Sequence, residues 1–315
     1  MIIEKSKTEY SCCRIPGLAL TQKGTLLAYY ECRKSVSDWA QIDLKIIRST
    51  DGGESFETVL LIHGNRKTLN NPMITVKGSE VHFFYCENYK KVYHRVSFDD
   101  GKTFGAANDI SAVFENAGFF YNVVAIGPGH GIVHGGKIIL PVWIAYNEKR
   151  EKAHHPSFIS TIYSDDGESW NLGEIIGKNV LINPSECALA VNKEGNVIIS
   201  IRNENAQHMR AFAISKTGFD GWGSLHFNGC FPDPVCMGSM CFANGKIYHI
   251  NCESKDKREN LTVKISKDSF KTFERIFVDT VGGYSDIVVK DDTLYVLYER
   301  DIENDGLYFK KISLN

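Results

Sequence analysis

The segment STDGGESF, residues 49–56, is echoed at residues 97–104 by SFDDGKTF, which keeps the serine, aspartate, glycine, hydroxyl residue and terminal aromatic at the same offsets. The shared pattern, Ser-x-Asp-x-Gly-x-Ser/Thr-aromatic, describes a tight turn. Its carboxylate accepts backbone N–H groups, its glycine supplies a positive φ, and its aromatic plugs the turn against neighbouring strands. Three further segments fit less fully. YSDDGESW at 163–170 has Tyr163 in the place of the serine, SKDSFKTF at 266–273 has Phe270 in the place of the glycine, and SKTGFDGW at 215–222 keeps only the serine and the last aromatic. First residues at 49, 97, 163, 215 and 266 give steps of 48, 66, 52 and 51 residues. A period near fifty is the signature of a propeller or another repeat array.

The flanks of these boxes read as strands. LKIIRS, VYHRVS, FISTIYS and RAFAIS each precede a box, and all are short, β-rich runs with partial alternation. Long amphipathic helical patterns are nearly absent. The expectation is an all-β, six-bladed β-propeller: five boxes at one per blade, and a last blade built from TLYVLYER and GLYFKKIS. Residues 1 to about 30 are expected to help close the ring, so that 1–315 forms one domain with no linker.

Composition bounds the rest. With 315 residues, 43% hydrophobic, 23% charged and a net charge of −2, this is an ordinary globular chain without the basic balance of a nucleic-acid binder. The opening MIIEKSKTEY has charges where a signal peptide needs an apolar stretch, and no eighteen apolar residues run together. The expectation is a soluble chain with no membrane segment, cytoplasmic or stripped of its leader. Nine cysteines lack a CxxC pair, and several lie in apolar runs such as FFYCENY and VCMGSMCF. That usage suits buried thiols in a reducing compartment rather than disulfides or a metal set.

The boxes, and the motifs between them, resemble the sialidase superfamily from Arg14 to about Glu299. CRIPGL resembles the family's RIP motif and implies Arg14 as the first member of an arginine triad. In GTLLAYYECRKSVSDWAQIDLKIIRSTDGGESF, an arginine and then an aspartate precede the first box, implying Arg33 as a substrate contact and Asp38 as general acid/base; Asp43, in a strand-like run, is the poorer fit. SECALAV implies Glu186 as the base that activates the nucleophile. SIRNEN implies Arg202 as the second clamp arginine, ahead of Arg210, and KDKRENLTV implies Arg258 as the third. GGYSDI implies Tyr284 as the nucleophile. The resemblance implies a retaining exo-α-sialidase acting on sialylated glycans, with no cofactor and no metal.

The chemistry of that set is coherent. Three guanidiniums can hold a sugar carboxylate by charge-assisted, partly bidentate hydrogen bonds in a fixed plane. An anionic nucleophile would be repelled by the same carboxylate, whereas a tyrosine that loses its proton to Glu186 as it attacks arrives nearly neutral. Asp38 would protonate the leaving oxygen and later deprotonate water. Other readings keep the clamp but change the sugar to a related 2-keto acid, change the acceptor, or drop catalysis altogether. The presence of an acid, a base and a nucleophile together speaks against a mere binding module.

Three secondary expectations follow. The glycine-rich AIGPGHGIVHGGKIILPVWI, residues 125–144, resembles a segment of many bacterial sialidases; its glycines are expected to bring backbone close to the sugar's far end. His130 is then a candidate contact for a substrate hydroxyl, and His134 is structural. The charged insertion NEKREKAHHPSF, residues 147–158, accounts for the longest step between boxes, and its His154 and His155 read as solvated rather than metal-bound. Trp39 and Trp143 are candidates for the pocket that receives the N-acyl group.

Overall fold

The computed structural model describes residues 1–115, 117–301 and 305–315. Six sheets follow one another along the chain, antiparallel except where Gly129–His130 joins the second in parallel. The first blade comprises Cys12–Leu20, Leu26–Arg33, Ile42–Ser49 and Glu57–Ile62; the second, Leu69–Lys77, Glu80–Glu87, Lys91–Ser97 and Asn108–Asp109. The third contains Val123–Ile126, Lys137–Ala145, Ser157–Ser164 and Asn171–Leu172; the fourth, Cys187–Val191, Val197–Ile201, Met209–Ser215 and His226–Pro232. Ser239–Ala243, Lys246–Cys252, Glu259–Ser266 and Glu274–Val281 make the fifth. In the sixth, Ser285–Lys290, Thr293–Glu299 and Gly306–Ser313 are completed by Ile2–Lys5 from the other end of the chain. First strands are buried along almost their whole length and fourth strands are partly exposed, so the blades form a β-propeller with its first strands innermost. No helix of the described residues is long and apolar enough to cross a membrane.

Ring closure is narrower than the sequence expectation. Only Ile2–Lys5 pairs with Gly306–Ser313, whereas residues 12–33 form the two inner strands of the first blade. This pairing also explains five boxes in six blades. Each box is the hairpin between third and fourth strands, and in the sixth blade those strands are joined by no hairpin because they come from opposite ends of the chain.

The box is a hydrogen-bonded staple. Ser49 Oγ donates to Asp51 at 2.7 Å and accepts from Gly53 N–H at 2.8 Å, while Asp51 accepts from the N–H groups of Glu54 and Ser55 and from Ser55 Oγ. Equivalent bonds surround Asp99 and Asp268, and the turn donors, led by the N–H groups of Thr103 and Thr272, hold both carboxyls down to about 2. The third box starts one residue later than its sequence suggests. Ser164 bonds Asp166 and the N–H of Gly167, so the turn is one residue shorter, and Asp165 instead pairs with Lys137. In the worn fourth box Thr217 replaces the aspartate, its hydroxyl accepting from the N–H groups of Phe219 and Asp220.

These turns also lock each blade to the one before it. A Cβ on Gly53, at φ 81°, would lie 2.6 Å from Phe309 of the sixth blade, and one on Gly101 would lie 2.8 Å from Leu27 of the first. Phe270 solves the same contact differently. It keeps the positive φ, 66°, and drives its ring between Phe231, Phe212 and His249 across the seam of the fourth and fifth blades.

The glycine-rich segment after Val123–Ile126 does not reach toward a sugar. Gly129–His130 pairs in parallel with Leu69–Lys77 and packs against innermost strands of the first and sixth blades, so the segment plugs the middle of the ring. Its glycines serve this close approach: a Cβ on Gly131 would lie 2.3 Å from Thr75 Oγ1 and 3.0 Å from the carbonyl of Ile139.

Replacing Phe270 with glycine restores the box consensus yet should destabilise the fold. Deleting a buried phenyl ring costs about 3–5 kcal/mol, against about 1–2 kcal/mol of relieved backbone strain, so the urea midpoint should fall. A second prediction concerns His82 and His94, whose ring nitrogens lie 3.0 Å apart under the Gly167 turn. Burial, then the neighbouring His82, pushes His94 down to about 4. An unfolded histidine titrates near ~6.5, so the unfolded chain binds more protons between those values. This contribution is intact above the unfolded value and is lost as pH falls toward the folded one, by up to about 3 kcal/mol. Urea midpoints measured from pH 7 to 4.5 should therefore drop less steeply in His94→Gln than in the parent.

Candidate active site

The leading ends of the innermost strands face a cavity of about 90 Å³ lined by Arg33, Asp38, Glu186, Arg202 and Tyr284, with Tyr89, Trp143 and His154 also in its wall. Chain topology puts them there. Glu186 and Arg202 sit at the mouth of one hairpin in the fourth blade, joined through Arg202 N–H to Glu186 O at 3.2 Å. Tyr284 precedes the first strand of the sixth blade. Arg33 ends the second strand of the first blade, and Asp38 lies in the loop that follows.

Tyr284 is the centre of the arrangement. Its hydroxyl donates to Glu186 Oε1 at 2.5 Å and accepts from Arg202 Nη1 at 2.6 Å, while the same guanidinium is ion-paired to the second oxygen of Glu186. The guanidinium carbons of Arg14 and Arg258 lie 5.2 and 5.1 Å from the Tyr284 ring centre. Burial pushes the phenol's pKa up; Arg202, Arg258 and Arg14 pull it down without prevailing, and Glu186 adds to the rise. Tyr284 is therefore held as a protonated phenol whose proton is directed at Glu186.

Arg14 is held from behind. Its Nε and Nη2 donate to the two oxygens of Glu299 at 3.0 and 3.3 Å, which leaves Nη1 on the side of Asp38, 3.8 Å away. Glu299 also accepts from the N–H groups of Ile15 and Tyr284. Burial works to raise its pKa, but Arg14, Arg258 and these bonds outweigh it and hold the carboxyl below its usual range. Gly283 makes room, since a Cβ there would lie 2.9 Å from a Glu299 oxygen. Arg258 is exposed in the turn before Glu259–Ser266, and no ion pair to it is present among the described residues.

Arg33 is buried and bonded to Glu31 and, at 2.7 Å, to Asp38. Asp38 is 43% exposed at its side chain. Burial tends to raise its pKa, yet the charge and hydrogen bond of Arg33, helped by Arg14, bring it below the ordinary carboxylate value. Glu31, whose other oxygen accepts from Asn71 N–H at 2.8 Å, fixes Arg33 much as Glu299 fixes Arg14.

The structure thus brings Arg14, Arg33, Asp38, Glu186, Arg202, Arg258 and Tyr284 together. It leaves out His130. The ring of His130 bonds Asp286 at 2.8 Å within the axial plug and faces Leu18, Ile74 and Val289 rather than this cavity. Asp286 holds it there while also accepting from the N–H of Leu18 and from Ser239. Arg210 is buried against Asp233 and Ser200, and Asp43 against Tyr10 and His63. His154, expected in solvent, packs instead against Tyr89, Trp143 and Trp39 with ring centres 5.0, 5.3 and 5.6 Å apart. Its loop is set by the buried Asn122, whose amide donates to the carbonyls of Arg150, Glu151 and Ala153. Trp143 Nε1, His154 Nε2 and Arg202 Nε are buried without a hydrogen-bond partner among the described residues. No group of three His, Cys, Asp or Glu side chains among the described residues could hold a metal ion.

Comparison with known proteins fits this geometry. Residues 57–296, more than half of the chain, match the BNR repeat-like domain family. A sialidase of Bacteroides fragilis is 25% identical over 92% of this chain, which spans 60% of that relative's length. The chain belongs to the sialidase superfamily. Among solved structures, the Hadza microbial sialidase Hz136 superposes with a TM-score of 0.81 at 20% identity, covering 97% of this chain and 66% of the other. Trypanosoma rangeli sialidase, solved as a covalent intermediate with 2,3-difluorosialic acid, gives 0.75 at 19% identity, covering 97% and 54%. At these identities the likeness is one of fold. Within the sialidase frame, Glu299, Glu31 and Tyr89 are neighbours of the site that the sequence reading did not single out, and His154 is one that it read as solvated. Each is an isolated residue with no motif; for Glu299, the two glycines before Tyr284 were the available signal that something packs closely beneath it.

The Arg14–Glu299 pair gives a test of this construction. Removing one partner of a buried pair costs about 3–5 kcal/mol, largely from the charge left behind. Arg14→Met and Glu299→Gln should each lower unfolding free energy, and the double variant should lose clearly less than the sum of the two. Additive losses in a urea double-mutant cycle would mean that the pair does not hold the first and last blades together.

Proposed function

We propose that the protein is a retaining exo-α-sialidase that works through a glycosyl-tyrosine intermediate. The observation that carries this reading is the Tyr284–Glu186 hydrogen bond of 2.5 Å, set among Arg14, Arg202 and Arg258. The naming of the relatives supports the sugar class, and the covalent complex of the T. rangeli sialidase supports the route.

In the first step Tyr284 Oη forms a bond to the anomeric carbon as its proton passes to Glu186. The bond from that carbon to the leaving oxygen breaks, and Asp38 supplies a proton to that oxygen. In the second, Asp38 takes a proton from water, the water oxygen displaces Tyr284, and Glu186 returns the proton to the phenol. Two inversions retain configuration. The substrate carboxylate has Arg14 Nη1, Arg258 and the unpartnered Arg202 Nε to bind. Engaging Arg14 also weakens the pull that keeps Asp38 ionised, so binding favours the protonated acid that the first step needs. The Tyr89, Trp143 and His154 wall, with two buried polar atoms unpartnered, suits an N-acyl group whose methyl meets ring faces and whose amide meets those atoms.

Two substitutions test the mechanism. Tyr284→Phe should lower turnover of an aryl sialoside by a factor of about 10²–10⁴, and a 3-fluoro sialosyl fluoride should label the parent on the GGYSDI peptide but leave this variant unlabelled. Asp38→Asn should depress hydrolysis of alkyl sialosides far more than that of sialosyl fluoride, whose leaving group needs no proton. Label on Glu186, or equal losses on both substrates, would overturn the assignments.

A further inference from the structure

Beside the catalytic cavity lies a larger groove of about 510 Å³ lined by Phe119, Phe120, Tyr146, Phe158, Leu181 and Pro184. The wall between the two is thin. Pro184 lines the groove while its neighbours Asn183 and Ser185 line the cavity, and Ser157 of the groove donates to Pro184 O at 2.8 Å, two residues beyond His155 of the cavity. Phe120, Tyr146, Val180 and Ile182 are all more than 40% exposed on the loops around it. Large apolar side chains left in water beside a reactive site mark a surface that something covers. The volume is within the range of small-ligand sites.

Resting on the sialidase reading above, we infer that this groove is the subsite for the neutral sugars to which the cleaved residue is attached. Its floor is aromatic, with Phe119 and Phe158 in edge contact at 5.0 Å and Tyr146 tilted on Phe158 at 5.7 Å. Such rings receive the C–H face of a pyranose. The rim carries one acid, Glu148, one base, Lys178, and the amide of Asn179, which suits hydroxyl groups and offers no net charge to a charged ligand. The loops of residues 147–156 and 177–185 thus have a cavity wall on one side and the groove on the other. The 147–158 insertion has a role here: it supplies both faces of that partition.

The test compares substrates that do and do not extend past the cavity. The double variant Phe120→Ala, Tyr146→Ala alters two exposed side chains, and its circular dichroism should match the parent. On a sialylated trisaccharide with two neutral hexoses its kcat/KM should fall about tenfold, mainly through KM, as expected for losing two ring contacts. On sialosyl fluoride, which has no sugar beyond the anomeric carbon, it should change less than twofold. Equal values for both substrates, changed or unchanged, would overturn the subsite. A loss on an octyl sialoside without a loss on the trisaccharide would also overturn it, in favour of an aliphatic chain. If the parent turned over none of the three substrates, the sialidase reading would fall instead.

Discussion

Two carboxylates of the last blade hold the first blade in place: Glu299 grips Arg14 and the N–H of Ile15, and Asp286 accepts from the N–H of Leu18. Both are buried, so their hydrogen-bonding capacity has to be met within the protein, and part of it is met by groups from the other end of the chain. The seam at which the ring closes is therefore also the place where the cluster of Arg14, Arg202, Arg258, Glu186 and Tyr284 is assembled. Arg14 belongs to one side of it, Tyr284 and Glu299 to the other, and Arg202 and Glu186 approach from the fourth blade. A propeller that failed to close would lack the site altogether. The Asp boxes, distant from the chemistry, contribute by fixing each blade against the one before.

The electrostatics of the site follow from this crowding. Four arginines surround the cavity, and burial alone would make them costly. Three of them are tolerated because Glu299 pairs with Arg14, Glu31 and Asp38 with Arg33, and Glu186 with Arg202, while Arg258 is exposed. Positive charge is thus pre-positioned, so that under the proposed function an anionic sugar would meet donors that need little rearrangement. Burial keeps Tyr284 a neutral phenol against the pull of these arginines, whereas Arg33, helped by Arg14, favours the carboxylate form of Asp38, so in the proposed reaction substrate binding has to shift Asp38 toward its acid form.

Much of this was legible in the sequence because it is local. A box needs its serine, aspartate and glycine at fixed offsets, and a hairpin places Glu186 and Arg202 sixteen residues apart. Where the pattern bends, local reading slips. The third box is shortened by one residue, which shifted its register to Tyr163; Phe270 takes a glycine's backbone and uses its ring to fill the seam. What was not legible depends on the closed ring. His130 looked like a pocket residue because it sits among glycines, yet those glycines serve the axial plug. His154 looked solvated because its segment is charged, yet Asn122 folds that segment over the cavity. Glu299 sits 285 residues from the arginine it holds, and no local pattern links them.

The strand Ile2–Lys5 has a further consequence for how the protein is made. It leaves the ribosome ahead of every other described strand, and its partner, Gly306–Ser313, leaves last. During synthesis the five box-bearing blades can form in order, each sealed against its predecessor by its own turn, while this strand waits unpaired. Its pairing spans nearly the whole chain, the most expensive kind of loop to close and the slowest to nucleate. Ring closure thus has to wait until Gly306–Ser313 has been made. Until it happens, the nascent protein exposes a sheet edge that a chaperone, or a second copy of the chain, could occupy.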